Sequence, residues 1–239
     1  MTGGTGYLGS ELVRRSGARG VSTRDFDVRE EDAVVAALRG YDVVVHTAYR
    51  QQPDDDAWSV NVEGSRNVAR AARGARLVHI STDVVFDGRL GRPYVEEDDP
   101  TPVTEYGRTK AAAEEAVRGE HPDALIVRTS LIYGGREPSK HETAAHDRSF
   151  AFYEDELRSP IALADLVDAL LELVGGTTSG VLHVAGADGV SRCELAKLIA
   201  GEARCEPAPP DRPLDCRLDS TRAQRLLRTR LRGVREVLA

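Results

Sequence analysis

MTGGTGYLGSEL, residues 1–12, places glycines at positions 3, 6 and 9. A dinucleotide-binding turn between a buried strand and a helix uses this spacing. Its first glycine makes the tight bend, its second lets the backbone approach a pyrophosphate, and its third lets the helix pack close. The helix N-terminus then receives the negative charge. An ordinary flexible N-terminus would carry the same glycines, and only Met1 stands where an apolar run of about five residues should precede the turn. The expectation is a doubly wound sheet whose first strand is missing, with a natural start upstream of Met1.

The rest of the chain supplies the rhythm. Short β-rich apolar runs, VVVHTA (43–48), LVHIST (77–82), LIVRTS (125–130) and VLHVAG (181–186), alternate with helical patterns. The latter are EEDAVVAALRG (30–40), AWSVNVEGSRNVARAARG (57–74), EYGRTKAAAEEAVRG (105–119) and ALADLVDALLELVGG (162–176). Apolar residues recur in them at three and four positions, and several close on glycine. Such alternation specifies an α/β fold with a parallel sheet covered on both faces. Ser191 followed by Glu194 is a capping box that opens another helix over SRCELAKLIAGEA (191–203). Two stretches break the pattern and are expected as loops of a smaller lobe: REPSKHETAAHD (136–147) and the proline-rich EPAPPDRP (206–213). The expected division is a dinucleotide-binding core over 1–130, rejoined by 161–185, and a small substrate lobe from 131–160 and 186–239.

With 239 residues, 41% hydrophobic and 30% charged, the chain can bury one substantial core. A net charge of −7 with interspersed signs argues against nucleic acid as a partner. No apolar run approaches the roughly 20 residues that cross a bilayer, so a cytoplasmic protein is expected. Cys193, Cys205 and Cys216 are odd in number and lack metal spacing, which fits reduced thiols. His141 and His146 do not share a helical face and have no matching second pair, so no metal site is expected.

The chemistry gathers at two places. LVHIST ends in Ser81 and Thr82, and ligands of a parallel sheet collect beyond the carboxyl ends of strands. TEYGRTKAAAEE sets Tyr106 and Lys110 one helical turn apart, on the same face. A free tyrosine titrates near pH 10, and a neighbouring ammonium favours the phenolate and lowers that value. Tyr106 can then exchange a proton with a carbonyl oxygen.

TGGTGYLG, STD and YGRTK together resemble the extended short-chain dehydrogenase/reductase superfamily. HISTDVVFDG, PYVEEDDPTPVTEYGRTKAAAEE and IVRTSLIYG narrow the resemblance to its dTDP-4-dehydrorhamnose reductase branch. RDFDVREEDAV, VNVEGSRNVA, RSPIALADLVDALLEL and GVLHVAG extend the likeness over the whole chain. It implies a Rossmann-like, NAD(P)-binding fold and an oxidoreductase of a nucleotide-linked sugar. Tyr106 would be the proton donor, Lys110 would hold the nicotinamide ribose, and Thr82, preferred over Ser81, would bond the reacting oxygen. Gly3, Thr5, Gly6, Tyr7 and Leu8 would surround the pyrophosphate. Asp27 and Val28 match the position that contacts adenine, although Asp27 would equally serve as a helix N-cap. Thr47, Ala48 and Tyr49 would lie beside the cofactor's ribose, and Arg24 would accept a 2'-phosphate, favouring NADP while Asp25 keeps NAD open. Asn61 falls at a position that in the family stabilises a helix near the active site, or is merely structural.

The match is incomplete at Leu131, where the family usually carries a sugar-contacting tryptophan, and over 136–147. Arg158 and Ser159 either line the substrate lobe or, for Arg158, pair with an acid. Two alternatives to a reductase stay open: a non-catalytic nucleotide-binding regulator resembling the methionine adenosyltransferase β subunit, and a sugar-nucleotide epimerase or dehydratase. A small-molecule substrate is the expected partner, with no nucleic acid or membrane; a homodimer is allowed for.

Overall fold

The computed structural model describes residues 1–52 and 54–239. In chain order the elements are α1 (Tyr7–Ser16), α2 (Glu31–Leu38), β1 (Val43–His46), α3 (Asp55–Trp58), α4 (Gly64–Ala71), β2 (Arg76–Thr82), α5 (Glu105–Glu120), β3 (Leu125–Thr129), β4 (Ile132–Tyr133), α6 (Lys140–Ala145), β5 (Ala151–Tyr153), β6 (Leu157–Arg158), β7 (Ile161–Ala162), α7 (Leu163–Val174), β8 (Gly180–His183), β9 (Val190–Ser191), α8 (Arg192–Ala200), β10 (Arg204–Glu206), α9 (Thr221–Leu226) and α10 (Val234–Val237). A π-helical turn, Ser59–Glu63, leads into α4, and a 3-10 turn, Asp83–Val85, follows β2. Two compact units emerge: Met1–Ser81 with Glu105–Val127 and Leu170–Val181, and Thr82–Thr104 with Arg128–Ala169 and Leu182–Ala239.

The central sheet has the order β1-β2-β3-β8, with β1 and β2 parallel and in register from Val43 opposite Arg76 to His46 opposite His79. All five residues of β3 are buried, as expected of a strand covered on both faces. Helices α2, α4 and α5 follow from their apolar spacing. Val34 and Leu38 of α2, Val68 of α4 and Val117 of α5 meet Val44, Leu77 and Ile126 of the sheet in one buried cluster. At the place expected for a first strand, Thr2 bridges Val21 on one side and His46 on the other, both in parallel. Its N–H donates to the Val45 carbonyl at 3.1 Å, and its own carbonyl accepts from the Thr47 N–H at 3.2 Å.

The second unit carries three small two-stranded sheets, β5 with β10, β4 with β7, and β6 with β9. Tyr133, Ala162, Val190, Leu195 and Val234 form one of its buried clusters. Two expectations are corrected here. Part of the loop expected over 136–147 is the helix α6, started by a full capping box in which Ser139 accepts from the Glu142 N–H and Glu142 takes the Ser139 N–H. Its S-x-x-E signal is the one used to find α8, where the Ser191 hydroxyl accepts from the Glu194 N–H, one half of the expected box. The expectation of three reduced thiols also fails. Cys193 on α8 and Cys205 on β10 form a disulfide, with Cα atoms 5.6 Å apart, and Cys216 alone is free and buried. Their sequence spacing carries no trace of this, because the packing of α8 and β10 around Phe152 of β5 brings them together.

Candidate active site

In the first unit the N-terminal glycines form a tight turn into α1. Gly3 has φ +70°, and a Cβ there would lie 2.6 Å from Thr47 Oγ1 and 2.7 Å from the Ala48 nitrogen. Only glycine fits, on both counts. A Cβ at Gly9 would come within 2.1 Å of the Gly3 carbonyl oxygen, so the third glycine sets how closely α1 approaches the turn. Gly6 is the N-cap of α1 and offers it no side-chain cap. Backbone N–H groups at this N-terminus therefore fit an anionic pyrophosphate. Thr5, exposed, and Tyr7 flank it, whereas the Leu8 side chain is core, leaving its backbone as the part that can serve a ligand.

The Thr47 hydroxyl donates to the Thr2 carbonyl at 2.8 Å, tying the end of β1 to the turn. Arg24 lies three residues beyond the Thr2–Val21 bridge, exposed, while Asp25 is turned back on its own loop, accepting from the Ser22 N–H at 2.8 Å. An exposed guanidinium is of a kind that suits a phosphate. Asp27 does not cap a helix. The N-cap of α2 is Glu30, and the Asp27 carboxylate is instead forked by Arg29, which holds it below the usual carboxylate range. Val28 is buried in the core, and its carbonyl is braced by the Asn67 amide at 3.1 Å.

Tyr106 and Lys110 both lie on α5. The Tyr106 ring is half-buried, and its centroid is 5.9 Å from that of Tyr49, so the segment after β1 reaches the start of α5. Lys110 is 3% exposed, and its ammonium donates to the Ile80 carbonyl at 2.7 Å, near the end of β2. Burial lowers its pKa to about 8, against the opposing pull of Glu114. The Ser81 hydroxyl donates to buried Glu114 at 2.5 Å, which takes that hydroxyl out of use. Successive residues of a strand face opposite ways, so Thr82 is not drawn to the same partner. The two neighbouring hydroxyls thus have different partners.

Asn61 is a hub of the first unit. It accepts from the Arg50 N–H at 2.7 Å and donates to the Arg50 carbonyl and to Thr109 Oγ1, each at 2.8 Å. Thr109 in turn donates to the Tyr106 carbonyl at 2.9 Å. A π-helical turn at this point aims the amide at both segments.

In the second unit Thr82 is half-buried, and its hydroxyl donates to Asp83 at 3.2 Å. Asp83 also accepts from Ser130 at 2.6 Å and faces buried Arg158 at 3.7 Å; burial raises its pKa in spite of them. Arg158 is structural: its guanidinium donates to the carbonyls of Leu214 and Pro213 and pairs with Asp83 and Glu156. Ser159 is equally buried, accepting from the Leu218 N–H at 3.2 Å. Phe86 stacks on Tyr94 at 3.9 Å, and a Cβ on Gly88 would meet backbone nitrogens at 2.5 Å, which explains the VFDG motif. Leu131 packs against the Tyr133 cluster.

The whole chain, residues 1–239, matches the family described as the RmlD substrate binding domain. The chain belongs to that family. It is 36% identical to the dTDP-4-dehydrorhamnose reductase of Mycolicibacterium smegmatis, over all of this chain and 83% of that one. It is 34% identical to the protein of the same name in Mycobacterium tuberculosis strain H37Rv, over 87% of this chain and 76% of that one. Among solved structures it resembles dTDP-4-dehydrorhamnose reductase from Bacillus anthracis in complex with NADP, with a TM-score of 0.87 at 26% identity, covering 99% and 95% of the two chains. The Rossmann-like α/β fold expected from the sequence stands. Four buried polar residues that contact candidate residues or their neighbours escaped sequence reading: His46, His79, Asn67 and Glu114. The histidines sit inside β-rich apolar runs and read as strand residues, and no local signal marks the partners they find. Among the described residues no helix is long and apolar enough to cross a membrane.

Proposed function

We propose that the chain is an NAD(P)H-dependent reductase of a keto group on a nucleotide-linked sugar, of the kind its relatives are named for, dTDP-4-dehydrorhamnose. One observation carries the assignment of residues: Tyr106 and Lys110 share a helix whose buried ammonium is fixed to the end of β2 through Ile80. When bound, the reduced dinucleotide supplies the hydride to the carbonyl carbon. Tyr106 gives its phenolic proton to the carbonyl oxygen as that oxygen gains negative charge, completing the alcohol. Lys110 favours the phenolate left behind and holds a ribose hydroxyl; Thr82 bonds the reacting oxygen. Gly3, Thr5, Gly6, Tyr7 and Leu8 hold the pyrophosphate, Thr47, Ala48 and Tyr49 flank the ribose, and Asp27 and Val28 bound the adenine. Arg24 takes the 2'-phosphate, so NADP is the preferred cofactor.

The test is NADPH consumption with dTDP-4-dehydrorhamnose, followed by its loss in Tyr106→Phe. Removing a general acid costs roughly 10²- to 10⁴-fold in turnover, while the affinity for NADPH should change little. Turnover unchanged in that variant would refute the assignment. NADPH consumed in proportion to substrate also distinguishes a reductase from an epimerase or a dehydratase, which regenerate their cofactor.

A further inference from the structure

Beneath Lys110 the sheet carries two buried histidines in register, His46 on β1 and His79 on β2, with ring centroids 5.1 Å apart. Each is at most 1% exposed. His46 is fully engaged, its Nδ1 with Thr2 Oγ1 at 2.6 Å and its Nε2 with Ser65 Oγ at 3.0 Å. His79 is different. Its Nε2 lies 3.5 Å from Lys110 Nζ, and its buried Nδ1 has no partner among the described residues.

We infer that His79 is a positioning residue for Lys110: its Nε2 lone pair and the Ile80 carbonyl together hold the ammonium at the end of β2 and keep it charged at neutral pH. An ammonium only donates, so Nε2 must accept and the imidazole proton sits on Nδ1. A neutral ring is what this place demands, since burial, Lys110 and His46 together hold the His79 pKa well below the ordinary histidine value. Of the three ammonium protons, one goes to Ile80 and one faces His79, which leaves a third for a ligand. Around Lys110 the titratable groups are Tyr106 and Glu114 on its own helix, His79 on β2 and His46 on β1. Glu114 is the one that favours the charged lysine by its own charge. A buried ammonium deprived of an acceptor has less to offset its lost hydration, so its charge becomes harder to keep.

The inference rests on the role given to Lys110 above, but its test needs no substrate. The chain has three lysines, Lys110, Lys140 and Lys197. Protein labelled with ¹³C at the lysine ε-carbon therefore gives three signals, and the one missing in Lys110→Arg is assigned. In the wild type that signal should titrate with a midpoint near 8. His79→Leu, close in volume but without an acceptor, should lower the midpoint by about one unit, a tenfold shift in the charge equilibrium. His79→Gln, whose amide oxygen reaches the place of Nε2, should restore it. His79→Asn, polar but too short, should behave like leucine and serves if the leucine variant does not fold. A midpoint unchanged in both His79→Leu and His79→Asn overturns the inference, as does a glutamine variant that falls as far as leucine. If the titrations follow this pattern while the wild type consumes no NADPH with any keto sugar, the functional reading fails and the positioning role stands.

Discussion

Acid should unfold this protein earlier than its carboxylates would. Buried His46 has its pKa lowered from 6.5 to about 3, chiefly by burial and then by the charges of Lys110 and the N-terminus. The sign follows from that depression: stability is full above the unfolded value near 6.5 and is lost as the pH falls below it. Between about pH 7 and about pH 5 the unfolded chain takes up a proton that folded His46 refuses, which removes about 2 kcal/mol. His79 is depressed in the same direction, chiefly by burial, and adds to that loss; domain stability is typically about 5–15 kcal/mol. Urea denaturation at the two pH values, in the wild type and in His46→Asn, isolates one share. Asparagine retains a polar side chain for Thr2 but cannot titrate. The variant will be less stable at neutral pH, yet it should lose about 2 kcal/mol less than the wild type on acidification. Equal losses in the two proteins would refute the view that His46 is buried in its neutral form.

Two further outcomes test the cofactor end of the molecule. Arg24→Ser should weaken NADPH binding by about tenfold, the loss of one exposed phosphate contact, and leave NADH binding as it was; calorimetric titration with both dinucleotides checks this, and an unchanged ratio counts against Arg24. Gly9→Ala must push α1 away from the Gly3 carbonyl, where a Cβ would stand at 2.1 Å, and should cost about 1–3 kcal/mol or more. Gly119→Ala on α5 meets nothing within 4 Å and should be neutral or stabilise by up to about 1 kcal/mol. Thermal melts that rank the two the other way would show that the turn is not packed as described.

Much of the candidate site was legible because its residues are fixed by local rules. Glycines at 3 and 9 are forced by backbone conformation and close approach, and Tyr106 and Lys110 fall one turn apart on α5 because a helix repeats every 3.6 residues. Thr82 could be preferred to Ser81 only through family resemblance; that the Ser81 hydroxyl bonds Glu114 could be learned only from the structure. The role of Asp27 could not be settled at all from sequence, because a carboxylate ahead of a helix serves as a cap or as a partner for Arg29 with equal local logic.

The sequence by itself determined the alternation of strands and helices, the glycine turn and the placing of a phenol and an amine one helical turn apart. Each depends on neighbours within a few residues, so spacing suffices. Only the tertiary structure decided the rest: the His46–His79 pair beside Lys110, the Asn61 link between Arg50 and Thr109, the burial of Arg158, and the Cys193–Cys205 bridge. Those contacts join segments that sequence does not order relative to one another. Burial, which turns an ordinary histidine neutral and brings a lysine near its titration point at physiological pH, exists only once the sheet has been covered.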